Sequence, residues 1–237
     1  MAAGRRVPAD LVATWLARVG YVEGWRLQEA VAARVRAGGP GRLLLLEHDP
    51  VYTIGRRGTT ANLLASPTEL RARGASAYRV DRGGDITYHG PGQLVGYPIL
   101  DLRPDRCDVH RYVRDLEEVM IRVCADYGIQ AGRIKGLTGA WVGAQKVAAI
   151  GVRISRWITS HGFALNVNTD LEHFRLIVPC GISDRGVTSL EQAAGRSLAA
   201  SEVENRVAAR VADVFERQIQ AAANTGGAGG SLRRQTE

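Results

Sequence analysis

Apolar residues recur at two periods along this chain, and the order in which the periods follow one another predicts a mixture of strands and helices. Residues 14–21 read as a short strand and residues 22–37 as an amphipathic helix, with Leu27, Ala30, Val31 and Val35 on one face. Gly38, Gly39, Pro40 and Gly41 end that helix. Residues 43–47 form a continuous apolar run suited to a buried strand, and 51–54 form a second β-like piece after His48, Asp49 and Pro50. Residues 78–81 and 92–102 are further strands, separated by a Gly-rich loop. Residues 110–127 repeat Val113, Leu116, Val119, Met120 and Val123 at helical spacing and stop at Gly128. Residues 141–142, 147–154 and 158–167 predict a meander of strands joined by short turns. A short helix is expected at 189–194, and a last one opened by Ser201 with Glu204 three residues on, a capping-box pattern. Strands and helices mix without regular β-α-β alternation, which predicts an α+β (mixed-sheet α/β) fold.

Length and composition narrow the class. The 237 residues suit one large domain, placed at residues 14–221, with an N-terminal extension at 1–13 and a Gly-rich tail at 222–237 expected to be disordered. Hydrophobic residues make up 45% of the chain and no apolar run approaches the roughly 20 residues that span a bilayer, so a soluble protein is expected. Arg5 and Arg6 are followed by an apolar stretch without a small-residue cleavage pattern, which does not read as a signal peptide and predicts a cytoplasmic protein. Three cysteines, Cys107, Cys124 and Cys180, are an odd number without CxxC or metal spacing. Free thiols are expected, and neither a disulfide framework nor a zinc site. The net charge of +7 suits nucleic acid or an acidic protein partner. The arginines are scattered, with no block of five or six, so a basic nucleic-acid-binding module has only net charge behind it.

The basic residues carry a sharper signal. Of 31 basic residues only Lys135 and Lys146 are lysine. A chain that otherwise meets its need for positive charge with arginine keeps a lysine where an amine able to lose its proton is useful. Lys146 stands 34 residues before Cys180. An ammonium beside a thiol stabilises the thiolate and makes a nucleophile of it. The residues alone also admit a chance survival of two lysines and a Cys180 that is a small buried hydrophobe.

The densest candidate for a binding loop is Arg82-Gly83-Gly84-Asp85-Ile86-Thr87-Tyr88-His89-Gly90-Pro91-Gly92-Gln93. Its four glycines let the backbone approach a ligand, while Arg82, Thr87, Tyr88 and His89 offer a cation, hydroxyls and an imidazole. A plain Gly-rich turn is the alternative, and the pattern is not that of a P-loop. Asp85 in such a loop can serve simply to hydrogen-bond it.

That segment, together with Lys146-Val147-Ala148-Ala149-Ile150-Gly151-Val152-Arg153, Ser160-His161-Gly162-Phe163-Ala164-Leu165-Asn166-Val167 and Pro179-Cys180-Gly181-Ile182, resembles in order and spacing the lipoyl(octanoyl) transferase family. The resemblance extends to residues 44–48 and 51–58 and so covers about residues 14–215. It implies a fold shared with lipoate and biotin protein ligases, and transfer of an octanoyl group from acyl carrier protein to the acceptor lysine of lipoyl domains, in 2-oxoacid dehydrogenase complexes and the glycine cleavage H protein. It implies Cys180 as nucleophile, Lys146 as the group that lowers its pKa and relays protons, and no cofactor, metal, nucleic acid or membrane. Substrate-binding segments carry over onto Arg82, Gly83, Gly84, Asp85, Ile86, Thr87, Tyr88 and His89, onto Ala149, Ile150 and Gly151, and onto His161, Gly162 and Phe163. Ala149 stands where many members have serine, which leaves backbone contacts there. Lys135 matches no motif and reads as a surface residue. The acyl chain is expected in an apolar slot lined by Tyr88, His89 and residues 148–151, with glycines leaving it room. An ATP-dependent lipoate or biotin ligase of the same fold is the rival reading, against which stands the Pro-Cys-Gly at the transferase position.

Overall fold

Four consecutive leucines in the second strand explain how the molecule is layered. In the computed structural model, which describes residues 9–178 and 186–221, Leu43 and Leu45 face one core and Leu44 and Leu46 face another, all buried. A strand covered on both sides must be apolar at every position, which is why this run lacks alternation. The elements are β1 (Ala9–Val19), α1 (Tyr21–Arg36), β2 (Gly41–His48), β3 (Val51–Ile54), α2 (Pro67–Ala72), β4 (Ser76–Arg79), β5 (Ile86–His89), β6 (Gln93–Ile99) and α3 (Val109–Asp126). After them come β7 (Gly132–Ile134), β8 (Leu137–Val142), β9 (Gln145–Ser155), β10 (Ile158–Asn166), α4 (Leu190–Ala194), α5 (Ala200–Phe215) and β11 (Arg217–Ala221).

Eight strands form one sheet in the order β11-β1-β2-β6-β10-β9-β8-β7, and β4-β3-β5 form a smaller one. β1 pairs in parallel with both β2 and β11, and the remaining pairs of the large sheet are antiparallel. This is the mixed α/β architecture expected. On one face, α3 and α5 bury Leu116, Val119, Met120, Val207 and Val211 against Leu43, Leu45 and Leu165. On the other, α1 packs Val31 and Val35 against Leu44, Leu46 and Val95. The small sheet has its own core of Tyr52, Ile54, Ile86 and Tyr88. No helix among the described residues is long and apolar enough to cross a membrane.

Several elements differ from expectation. The first strand begins at Ala9 and ends at Val19, and α1 begins at Tyr21. The Gly-rich loop contains a strand, β5, antiparallel to β3. Helix α2, β7 and β11 had no apolar periodicity to announce them. The capping box at Ser201 is absent: α5 starts at Ala200 behind Ala199, without a side-chain cap. A capping box does form at Ser66, whose hydroxyl accepts from Glu69 N–H while the Glu69 carboxylate accepts from Ser66 N–H. The expected tail and residues 1–8 lie outside the described residues.

Candidate active site

The strands that carry the sequence motifs converge on a cavity of about 660 Å³ between the small sheet and β9 and β10. Close packing builds its wall. Gly83 N–H donates to the Val152 carbonyl, fastening the Gly-rich segment to β9. A Cβ on Gly151 would lie 3.0 Å from Arg82 Cδ, and one on Gly162 would lie 2.3 Å from the Gly96 carbonyl. These two glycines therefore let backbone and strand approach one another, and both line the cavity; the room that the sequence assigned to Gly151 is taken up on its Cβ side by Arg82 and Gly83.

Arg82 is buried, its guanidinium donating to the Thr53 carbonyl at 2.6 Å, the Thr53 hydroxyl at 2.8 Å and the Gly83 carbonyl at 2.9 Å. It braces the loop from inside while also lining the cavity. Asp85 accepts from Ile86 N–H and from the Asn62 amide, each at 2.7 Å, so it does the loop-closing work foreseen for it. Gly84, Ile86, Thr87, His89, Ala149, Ile150, His161 and Phe163 also line the cavity.

Tyr88 does not. Strand alternation turns it into the small core, where its ring stacks on His173 with centroids 4.4 Å apart and meets Tyr52 and Phe174. Ala148 likewise faces the α3 side. The apolar part of the cavity wall comes from Val109, Val113, Leu137, Val152 and Phe163 together with Ile150, which the sequence had placed there. Both valines belong to α3: Val113 was read as one of its regularly spaced apolar positions, and Val109 precedes the expected start of that helix. Gln93, the last residue of the candidate binding loop, also reaches the cavity, as do Tyr21, Tyr97 and Trp141, which were not singled out as site residues.

Gln93 ties the site together. Its carbonyl oxygen accepts from His89 Nδ1 at 2.8 Å, and its amide donates to the Asn166 side-chain oxygen at 2.9 Å. Asn166 donates in turn to the Thr188 carbonyl, and Thr188 N–H donates to the Lys146 carbonyl. Lys146 N–H donates to the Gly186 carbonyl. Gly186 and Thr188, which follow the stretch 179–185, are thus clamped to Lys146. On the other flank, Val178 N–H donates to the Asn62 carbonyl. Cys180 itself lies outside the described residues, with Pro179, Gly181 and Ile182.

Lys146 is half-buried, with Nζ 4.7 Å from the centroid of the Trp141 ring. Lys135 is exposed in the turn between β7 and β8. Cys107 is exposed in a loop and Cys124 is buried on α3, where burial pushes its thiol up to about 12.

His48, His89 and His161 are each held towards the neutral form by burial. Burial lowers His89 to about 3, with the charges of His48 and Arg82 adding to the effect, and burial lowers His48 to about 4. His48 Nδ1–H donates to the Val19 carbonyl, which leaves Nε2 to accept from the Tyr97 hydroxyl at 2.7 Å. His161, in a left-handed conformation at φ 56°, meets Asp81 at 3.2 Å and is lowered mainly by burial. These folded values lie below the unfolded value of about 6.5, so the unfolded chain binds more protons in the interval. The resulting stability is complete above about pH 6.5 and is lost as pH falls towards 4, at up to about 1.4 kcal/mol per pH unit for each group. Urea midpoints should therefore drop steadily from pH 6.5 to 4, and His48→Gln should flatten the slope. A midpoint constant across that window would contradict the buried neutral state.

The chain matches the lipoyl protein ligase A/B catalytic domain over residues 20–212. It is 51% identical over 205 residues to an octanoyltransferase of Solibacter usitatus, covering 86% of this chain and 92% of that protein. It is 50% identical over 210 residues to an octanoyltransferase of Myxococcus xanthus, covering 86% of this chain but 59% of that longer protein. In fold it resembles lipoate-protein ligase A bound with ATP, with a TM-score of 0.71 at 18% identity over 93% of this chain and 90% of that one. A bipartite lipoate protein ligase from Thermoplasma acidophilum gives 0.70 at 16% identity, over 93% and 89%. The ligases share the architecture, whereas the octanoyltransferases share half the residues: the chain belongs to the lipoyl protein ligase A/B catalytic-domain family and, within it, to the octanoyltransferases, which are acyltransferases.

Proposed function

We propose that this protein moves an octanoyl group from octanoyl-acyl carrier protein to the acceptor lysine of lipoyl domains, through a thioester on Cys180. The observation that carries the reading is Lys146 in the cavity wall, its main chain clamped to Gly186 and Thr188, the residues that follow the Pro179-Cys180-Gly181 segment.

The chemistry follows from the groups. The Cys180 thiolate attacks the carbonyl of the donor thioester, and the pantetheine thiol leaves, taking up a proton from the Lys146 ammonium. The acceptor amine then attacks the enzyme thioester, its proton passes to Lys146, and the Cys180 thiolate departs. An amide replaces a thioester, so no nucleotide is needed. Each tetrahedral oxyanion needs N–H donors. Gly83 and Ile86 are already engaged, with the Val152 carbonyl and the Asp85 carboxylate, and supply none. The octanoyl chain lies along Val113, Leu137, Ile150 and Phe163, and Ala149 contributes backbone where a serine would add a hydroxyl. His89, neutral and held by Gln93, orients substrate by hydrogen bonding.

The charge of +7 supports an acidic carrier as donor, since long-range attraction raises the encounter rate. Free thiols at Cys107 and Cys124 suit a reducing cytoplasm. Octanoyl-carrier protein and a lipoyl domain, without ATP or magnesium, should give octanoylated lipoyl domain, while octanoic acid with ATP should give none. The reverse result would assign the ligase reaction instead.

A further inference from the structure

Glu117 is a buried carboxylate for which the reaction gives no role. It sits on α3 one turn after Val113, with its side chain 1% exposed. One carboxylate oxygen, Oε1, accepts from the backbone N–H of Gly139 at 3.0 Å; Oε2 accepts from Arg114 at 2.6 Å and Arg133 at 3.1 Å. A charge is costly to bury, and an apolar residue would serve the helix packing at least as well. The group is therefore informative about what it holds.

What it holds is the entry to a β-bulge. Ala140 pairs with Ala148 and Trp141 pairs with Lys146, which leaves Val147 without a partner on β8. Bulges bend a strand and re-aim its side chains. Gly139, next to this irregularity, has φ 127°, and a Cβ there would lie 2.6 Å from the Ala148 carbonyl. Beyond the bulge, the Trp141 ring lies under Lys146 Nζ, and both side chains line the cavity.

We propose that Glu117 is a positioning residue: the hydrogen bond from Gly139 N–H to Oε1 pins the β8 side of the bulge and so holds the Trp141 indole beneath the Lys146 amine. The geometric claim stands by itself. Its consequence for turnover rests on the role given to Lys146 under the proposed function.

Two substitutions separate reach from charge. Glu117→Gln keeps an acceptor at the same distance but loses the ion pairs; Glu117→Asp keeps the charge but withdraws the acceptor by one methylene. Because the chain has two lysines, ¹³C-lysine labelling of the full-length protein gives two ε-methylene signals, and Lys135→Arg assigns them. In the wild type the Lys146 signal should be displaced upfield by the Trp141 ring current, a displacement that Trp141→Leu removes. Glu117→Gln should retain most of the displacement and of kcat, even with a lowered Tm. Glu117→Asp should lose most of the displacement, with kcat falling at least about tenfold and KM for the donor little changed, because misplacing a reacting group costs rate more than binding. If the aspartate variant keeps the displacement, or both variants lose it together, the proposal is overturned. Should Glu117→Gln not fold, retention of the displacement in Glu117→Asp alone decides against it and loss decides for it. Loss of the displacement with unchanged kcat keeps the positioning role and contradicts the role of Lys146 instead.

Discussion

Cys180→Ser should abolish acyl transfer, with a loss on the order of 1000-fold or more, while Cys107→Ser and Cys124→Ser keep most activity. A serine hydroxyl is far less acidic than a thiol, and a neighbouring amine cannot ionise it near neutrality. The other two cysteines are poor substitutes for physical reasons. Burial on α3 holds the Cys124 thiol at about 12, out of reach of ionisation. Cys107 lies in the loop before α3, with its Sγ 3.6 Å from the Leu102 carbonyl. Single-turnover transfer from octanoyl-carrier protein measures the effect. Wild-type rates from Cys180→Ser would remove the nucleophile.

Lys146→Arg should be almost as damaging as Lys146→Ala, by roughly 10²- to 10⁴-fold, the usual contribution of a general acid and base. A guanidinium can still lie over the Trp141 ring, so the cation–π contact survives the change. It cannot give up a proton at physiological pH, so the relay does not survive. Lys135→Arg, at an exposed turn, is the internal control and should be near neutral. Normal rates from Lys146→Arg would reduce Lys146 to an electrostatic neighbour of the thiol.

What the chain disclosed before folding, and what it withheld, divides along physical lines. β2, α1 and α3 were readable because each presents a long apolar pattern to a core: unbroken where both faces are covered, at helical spacing where one is. β5 was hidden because glycines flank it on both sides, and a four-residue strand offers too few positions to show alternation. β11 is a polar edge strand, and edges have little apolar to show. Ser201 and Glu204 had the spacing of a cap, yet the helix begins one residue earlier and Ser201 falls inside it.

The candidate site was legible as residue types and order. Lys146, His161 and the residues from Arg82 to His89 other than Tyr88, 79 positions apart from first to last, do meet around one cavity. Orientation was not legible. Which of Thr87, Tyr88 and His89 faces the ligand follows from strand register, and only the pairing of β5 with β3 sets that register. The bulge that aims Lys146 is an irregularity of pairing between two strands, and no single segment carries its signature. Gly151 was marked as leaving room for an acyl chain, but what approaches it, as at Gly162, is the protein's own chain.

The central claim is a covalent acyl-enzyme formed from a pre-activated donor. Its most direct test is the intact mass of the protein after mixing with octanoyl-acyl carrier protein alone, without ATP or magnesium. The account predicts a gain of one octanoyl group on Cys180, labile to hydroxylamine as a thioester is, absent from Cys180→Ser, and discharged when a lipoyl domain is added. Transfer to the lipoyl domain with no adduct on Cys180 at any time in a single turnover, or an adduct that forms only with ATP, would contradict it.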